Sequence, residues 1–220
     1  MATMMENVTL TAPDISCGHC VATVKDAVGK LANLYQVMGR YGDAEPLFRR
    51  TLAIQERPGT DQLAASRTYN NLGIMQFAIG RHSDAEVSFK RALTIQEQVL
   101  GPSHPMIAEV LQNLAAVLKS QCRYDDAASL ALRSLSIREK VLGRDHPDVA
   151  SLLNNLANIY VLQKKFAEAE PLYQRALATQ ERVLGGDHPN VSYTLHNLGY
   201  AAEAQKRNEE AEGFYRRTIS

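Results

Sequence analysis

Apolar residues recur along most of this chain with a helical period. From residue 21 they fall at Val21, Val24, Val28, Leu31, Tyr35 and Met38, with spacings of 3, 4, 3, 4 and 3. Such spacings keep one helix face buried without a phase break. Residues 19–38 are therefore predicted to form one helix, its buried face supplied by Val24, Val28 and Leu31. Gly29 lies inside it, costs about 1 kcal/mol relative to alanine, and marks where a bend would fall. The same reading gives a second helix over 41–56 and then pairs at 61–79 and 82–99, 105–120 and 124–141, 147–162 and 166–183, and 189–205 and 208–219. In the fourth pair Leu153, Leu156, Ala157 and Tyr160 face inward from the first helix, and Ala169, Tyr173, Ala176 and Leu177 from the second. Small residues at 157 and 169 let the backbones approach, and the two tyrosines fill the adjacent gaps. The start of the chain differs. Val8, Leu10 and Ala12 alternate with Asn7, Thr9 and Thr11, a strand-like period of two that Pro13-Asp14 ends.

The helix pairs are copies of one unit. A shift of 42 residues carries Gly143-Arg144-Asp145-His146-Pro147 back onto Gly101-Pro102-Ser103-His104-Pro105 and forward onto Gly185-Gly186-Asp187-His188-Pro189. It also aligns Asn71, Asn113, Asn155 and Asn197, each followed by leucine, and Ala85, Ala127, Ala169 and Ala211. The first step is 41 residues, and the loop Arg57-Pro58-Gly59-Thr60-Asp61 lacks the V-L-G-x-x-H-P sequence of the others. Repeats are placed at about 19–57, 61–100, 104–142, 146–184 and 188–220. A chain so built is an array, and its function is that of an array.

The order leucine, small residue, aromatic, alanine, aromatic, alanine resembles the tetratricopeptide repeat. The 42-residue period, with H-P-x-V-A opening the first helix and I-Q-E-x-V-L-G closing the second, is similar to kinesin light chain repeats over residues 31–220. The resemblance implies an all-α, right-handed α-solenoid of about five helix pairs, with a short extended arm at residues 5–16. Kinesin light chain also grips its motor through a heptad coiled coil, which is absent here, so microtubule transport is not carried over.

Residues 6–31, ENVTLTAPDISCGHCVATVKDAVGKL, resemble the opening of a heavy-metal-associated domain: strand, C-x-x-C loop and first helix. The other three strands and second helix of that domain have no counterpart, and Ile15 stands where the family usually has Met. Residues 1–30 are thus expected to be a partial metal-binding segment ahead of the array at 31–220. Two thiolates, Cys17 and Cys20, at a helix start suit a soft ion. Cu(I) is the metal expected if one binds, with His19 as a further donor, and no cofactor is required for folding. The alternative is inherited sequence that binds nothing well.

Charge alters this picture little. Lys plus Arg and Asp plus Glu are 24 each, so the basic stripe of a nucleic-acid binder is not expected. No apolar run reaches the roughly 18 residues of a membrane span, and MATMMENVTL lacks the signature of a signal peptide. Three cysteines do not suggest a disulfide framework, which points to the cytoplasm. Cys122, between the helices of repeat three, reads as a plain thiol.

Three sets of residues invite a chemical reading. His104, His146 and His188 look like a metal ladder, but repeats stand about 10 Å apart, and each histidine precedes a proline suited to a first helical turn. Loop structure explains them better. Asp84-Ala85-Glu86, Glu168-Ala169-Glu170 and Glu210-Ala211-Glu212 open helices, where acidic groups favour the dipole, so catalysis is not expected.

The asparagines say more, because Asn is a mediocre helix former and propensity gives no reason for four copies. In the tetratricopeptide family this position, with those three residues on and four before, lines the concave groove. The resemblance therefore implies a groove of Lys30, Asn33, Arg67, Asn71, Glu109, Asn113, Ser151, Asn155, Asn158, Tyr193, Asn197 and Tyr200. Amides donate and accept, so such a ladder can hold an extended peptide backbone. The competing role is repeat-to-repeat stacking. The expected function is a non-catalytic scaffold for a peptide segment of a partner protein; the competing one is a soft-metal chaperone or metal-sensing adaptor. Because the last repeat ends at Ser220 without a capping helix, Phe214, Tyr215 and Ile219 are expected to be partly uncovered unless Tyr215 tucks inward like Tyr173. Fraying or self-association there is the consequence.

Overall fold

The computed structural model of the chain describes residues 18–57 and 59–218, with side chains from residue 26 onward. Among these residues the regular structure is entirely helical: α1 (Gly18–Val37), α2 (Tyr41–Gln55), α3 (Gln62–Ala78), α4 (His82–Leu100), α5 (Ile107–Ser120), α6 (Tyr124–Leu142), α7 (Pro147–Leu162), α8 (Phe166–Leu184), α9 (Pro189–Ala204) and α10 (Asn208–Arg217). No described helix is long and apolar enough to cross a membrane. The proposed arm at 5–16, Cys17 and the side chains of His19 and Cys20 lie outside the described residues.

The chain divides into two compact units, Met1–Thr60 and Asp61–Ser220. The first contains the hairpin α1/α2. Helix α1 runs unbroken through Gly29, whose missing side chain faces α2: a Cβ there would meet Thr51 Cγ2 at 3.7 Å. The buried face differs in part from the one read off the spacing: Val28 is half-buried, and the side chains of Val21 and Val24 lie outside the described residues. Leu31 is 39% exposed and Met38 58%, whereas Ala32 is fully buried. The buried line of α1 thus passes through Ala32 in place of Leu31. A pattern of alternating 3 and 4 spacings admits either register, and close approach of two helices selects the small residue.

The second unit stacks four hairpins, α3/α4, α5/α6, α7/α8 and α9/α10, each second helix also packing on the first helix of the next pair. Each of the first three hairpins ends at a glycine, Gly101, Gly143 or Gly185, with φ of 82°, 85° and 86°. A positive φ is cheap for glycine alone, and these residues donate their N–H to Glu97, Glu139 and Glu181 carbonyls. The histidines that follow have a structural task. His146 and His188 are the N-caps of α7 and α9, each Nδ1 accepting the backbone N–H two residues on at 3.1 Å. His104 accepts likewise from Met106, but α5 begins only at Ile107, because Pro105 and Met106 form a turn.

Between repeats the hydrophobic core is reinforced by a periodic set of ion pairs. Arg133 meets Glu97 at 2.5 Å and the Pro102 carbonyl. One repeat on, Arg175 meets Glu139 at 2.6 Å and the Arg144 carbonyl, and Arg217 meets Glu181. A second clasp joins Arg123 to Glu86 at 2.8 Å and Arg207 to Glu170 at 2.7 Å. Burial alone would raise the Glu86 carboxyl, but hydrogen bonds from Lys90, Arg123 and Gln121 hold it down to about 2.

In the last repeat Phe214 and Tyr215 are half-buried. Tyr215 does tuck inward: its ring occupies the space over Gly199, and its hydroxyl donates to Glu203 at 3.0 Å. Ile219 lies outside the described residues.

Candidate functional site

The anticipated groove residues of the second unit lie on the first helices of its hairpins, and they fall into three groups. Arg67 and Asn71 of α3 and Glu109 of α5 border one hollow of about 230 Å³, together with Asn70 and Gln96. Asn113 of α5 and Asn155 of α7 border a second, of about 140 Å³. Asn158 of α7 and Tyr193 of α9 form the third, with Asn158 Nδ2 donating to the Tyr193 hydroxyl at 3.3 Å. Asn197 and Tyr200 continue along α9; Tyr193 and Tyr200 are 53% and 56% exposed. Ser151 is turned to its own helix, donating to the Pro147 carbonyl at 3.2 Å. Lys30 and Asn33 belong to α1 of the first unit, where Lys30 pairs with Asp26 at 2.7 Å.

The asparagines divide their duties. Asn113 donates through Nδ2 to Asn70 Oδ1 at 3.0 Å, and Asn70 donates in turn to Glu109 Oε1 at 3.0 Å. Asn158 is bound on both sides, since Tyr173 donates to its Oδ1 at 2.5 Å. Burial, with a smaller contribution from Tyr193, pushes the Tyr173 phenol far above the usual tyrosine range, so it remains a donor. Asn155 has no hydrogen-bond partner among the described residues and is half-buried at the edge of the second hollow. The buried Asn197 Nδ2 also lacks a partner there.

Several polar residues of this region escaped the sequence reading. Asn154 is buried and donates to Thr194 Oγ1 at 2.6 Å, and that hydroxyl donates to Gln180 Oε1 at 2.6 Å. Ser88 donates to Gln76 at 2.7 Å within the hairpin α3/α4. A signal did exist: residues 70, 112, 154 and 196, directly before the four aligned asparagines, are Asn, Gln, Asn and His, and only repeat one breaks the row, with Gly29. Buried polar groups must find partners, and at two of these positions, Asn70 and Asn154, the side chain is buried and bonds to the next repeat.

No nucleophile with a base emerges from these groups. What the arrangement offers is a line of amides, phenols and hollows that can hydrogen-bond a backbone.

A tetratricopeptide repeat family model matches residues 26–98, 87–140, 107–179 and 148–220. No curated protein matches the sequence. Among solved structures, BtubC (BKLC) from P. vanneervenii is similar, with a TM-score of 0.80 and 25% identity over 90% of this chain and 80% of that one. A Podosopora anserina putative kinesin light chain with nearly identical TPR-like repeats gives 0.77 and 23% over 88% of this chain and 92% of its own. The apo form of RapI gives 0.78 at 16% identity, covering 88% of this chain and 68% of that one.

Proposed function

Because the chain belongs to the tetratricopeptide repeat family, we propose that it is a non-catalytic scaffold whose first-helix face holds an extended peptide segment of a partner protein. The observation that carries this reading is Asn155. Its amide stands at the edge of a hollow without an internal partner, so neither its donors nor its acceptor is committed to stacking. Asn113, across the same hollow, gives one donor to Asn70 and keeps its carbonyl oxygen for a ligand. An amide that both donates and accepts suits a peptide backbone, whose N–H and C=O groups alternate. The tyrosines on α9 extend the same face with apolar area and hydroxyls. The soft-metal alternative has the Cys17 and Cys20 motif as its support and acts through a different part of the chain.

The test uses peptides selected from a displayed random library on the wild-type chain. Asn113→Ala combined with Asn155→Ala should weaken their binding roughly 5- to 100-fold, since each lost hydrogen bond is worth about 0.5–1.5 kcal/mol, while helical content and melting temperature stay near wild type. A lower melting temperature with undiminished affinity would instead assign these amides to stacking.

A further inference from the structure

The 140 Å³ hollow exists because repeat three lacks a ring that its sister repeats contain. In register, the residue packed between the two helices of each hairpin is Phe48, Phe89, Ala131, Tyr173 and Tyr215. Opposite it on the first helix stand Ala32, Gly73, Ala115, Ala157 and Gly199. The rings fill their space tightly. A Cβ on Gly73 would come within 2.8 Å of Phe89 Cε1, and one on Gly199 within 2.5 Å of Tyr215 Cε1. Phe89 and Tyr173 are each 1% exposed. In repeat three both partners are alanine, and neighbouring Ala116 replaces the larger Ile74, Asn158 and Tyr200 of its sisters. Repeat three has not collapsed to fill the gap. Ala115 and Ala131 line the hollow with Leu152 and Ile159 of α7, and Asn113 and Asn155 lie along it.

We propose that this hollow is a socket for one neutral aromatic side chain, phenylalanine or tyrosine, of the bound peptide, which takes the place of the missing ring of repeat three. This rests on the peptide-scaffold reading and assigns its specificity. Size supports it: a dry apolar cavity of about 150 Å³ takes up benzene. Its apolar lining is alanine, leucine and isoleucine; its polar lining is Gln112, Asn113, Lys119 and Asn155 beside Ser134, whose hydroxyl is already spent on the Ala108 carbonyl at 2.8 Å. Charge disfavours a cationic occupant. No carboxylate lines the hollow and its one ionisable group is Lys119, so a lysine or arginine side chain would enter unpaired beside a like charge. The flanking amides then take the backbone of the residue whose ring is seated.

The full chain, labelled with ¹⁵N, is titrated with N-acetyl-phenylalaninamide, and with N-acetyl-alaninamide as control. The ring-bearing probe should give saturable shifts at Ala115, Ala131 and Ile159, and the control none. Ala131→Phe supplies the ring internally and should weaken the probe about tenfold or more while raising the melting temperature. Repeat four shows that an alanine opposite, Ala157, tolerates a ring there, both residues belonging to one buried cluster. If the Phe variant loses helicity, Ala131→Leu replaces it. Absence of saturable shifts in the wild type, or an undiminished response in a folded filled variant, overturns the socket. Display-selected peptides that lose affinity with the two asparagines but not with Ala131→Phe leave the scaffold reading standing without the socket. A probe that binds the asparagine variant undiminished, beside selected peptides that also do, leaves the socket and removes the amide groove.

Discussion

Repeats three and four share a frame but not a centre. Both join two helices through three residues of which the middle one has positive φ, Cys122 at 61° and Lys164 at 60°. Both end at a glycine that accepts a left-handed conformation, and both send an arginine, Arg133 or Arg175, to the preceding repeat. Yet repeat four closes around Tyr173, whose hydroxyl ties α8 to Asn158 on α7, while repeat three has only Ala131 at that place in its core and opens a hollow beside it. At the centre of the hairpin the difference is two residues, Tyr173 and Asn158 against Ala131 and Ala116. The turns and the ion pairs recur in both repeats whether or not a ring stands between the helices, so the ring is a separable filling. A repeat can give up its filling and keep its place because its neighbours hold both sides of it.

Emptying repeat four is the strongest way to break that contrast. Tyr173→Ala should lower stability by about 3–5 kcal/mol, the range for deleting a buried aromatic ring, and create a second hollow between α7 and α8. Urea unfolding followed by circular dichroism measures the loss. A cost near zero would mean the frame alone carries repeat four, and the two repeats would not differ as argued.

The helix starts offer a smaller test. His146 caps α7 directly, so His146→Ala should cost about 1 kcal/mol, as cap removal does. His104→Ala should cost less than half as much, because α5 starts beyond its reach after the turn at Pro105 and Met106. Equal losses would show that the turn is part of the helix in solution.

The smallest effect is expected where the repeats are alike. Arg133→Ala and Arg175→Ala each break a half-exposed inter-repeat pair, and should cost a similar amount, about 1 kcal/mol or less, shrinking further in high salt. A clearly larger loss at Arg133 would mean that the hollowed repeat leans on its clasp, which would refine the comparison rather than end it.

Much of this was legible from residue order. Helix α8 was expected over 166–183 and runs Phe166–Leu184, and α6, expected over 124–141, runs Tyr124–Leu142. These limits follow from local chemistry: a glycine with positive φ stops each second helix, and a histidine before a proline starts α7 and α9. The histidines belong to loop structure as expected, and the Nδ1 atoms of His146 and His188 cap the helices that follow. Where the expectation missed, the deciding contacts were remote in sequence. Leu31 and Ala32 both fit the period of α1, and the approach of α2 decided between them. Asn113 could be assigned to a groove by position, but its bond to Asn70, 43 residues away, depends on how α3 and α5 lie side by side.

The sequence by itself determined the periodic plan: the helices, their pairing and the recurrence of capping and core positions, because each depends on residues within a turn or two or on the repeat itself. The tertiary structure decided which polar residues are consumed and which remain available. Asn155 and Asn158 are three residues apart on one helix, yet one is bound on both sides and the other has no partner among the described residues. It also decided that Ala131 marks a hollow and not a tighter joint. A small residue can be answered by closer packing or by empty space, and only the positions of α5, α6 and α7, held by their neighbours, settle which.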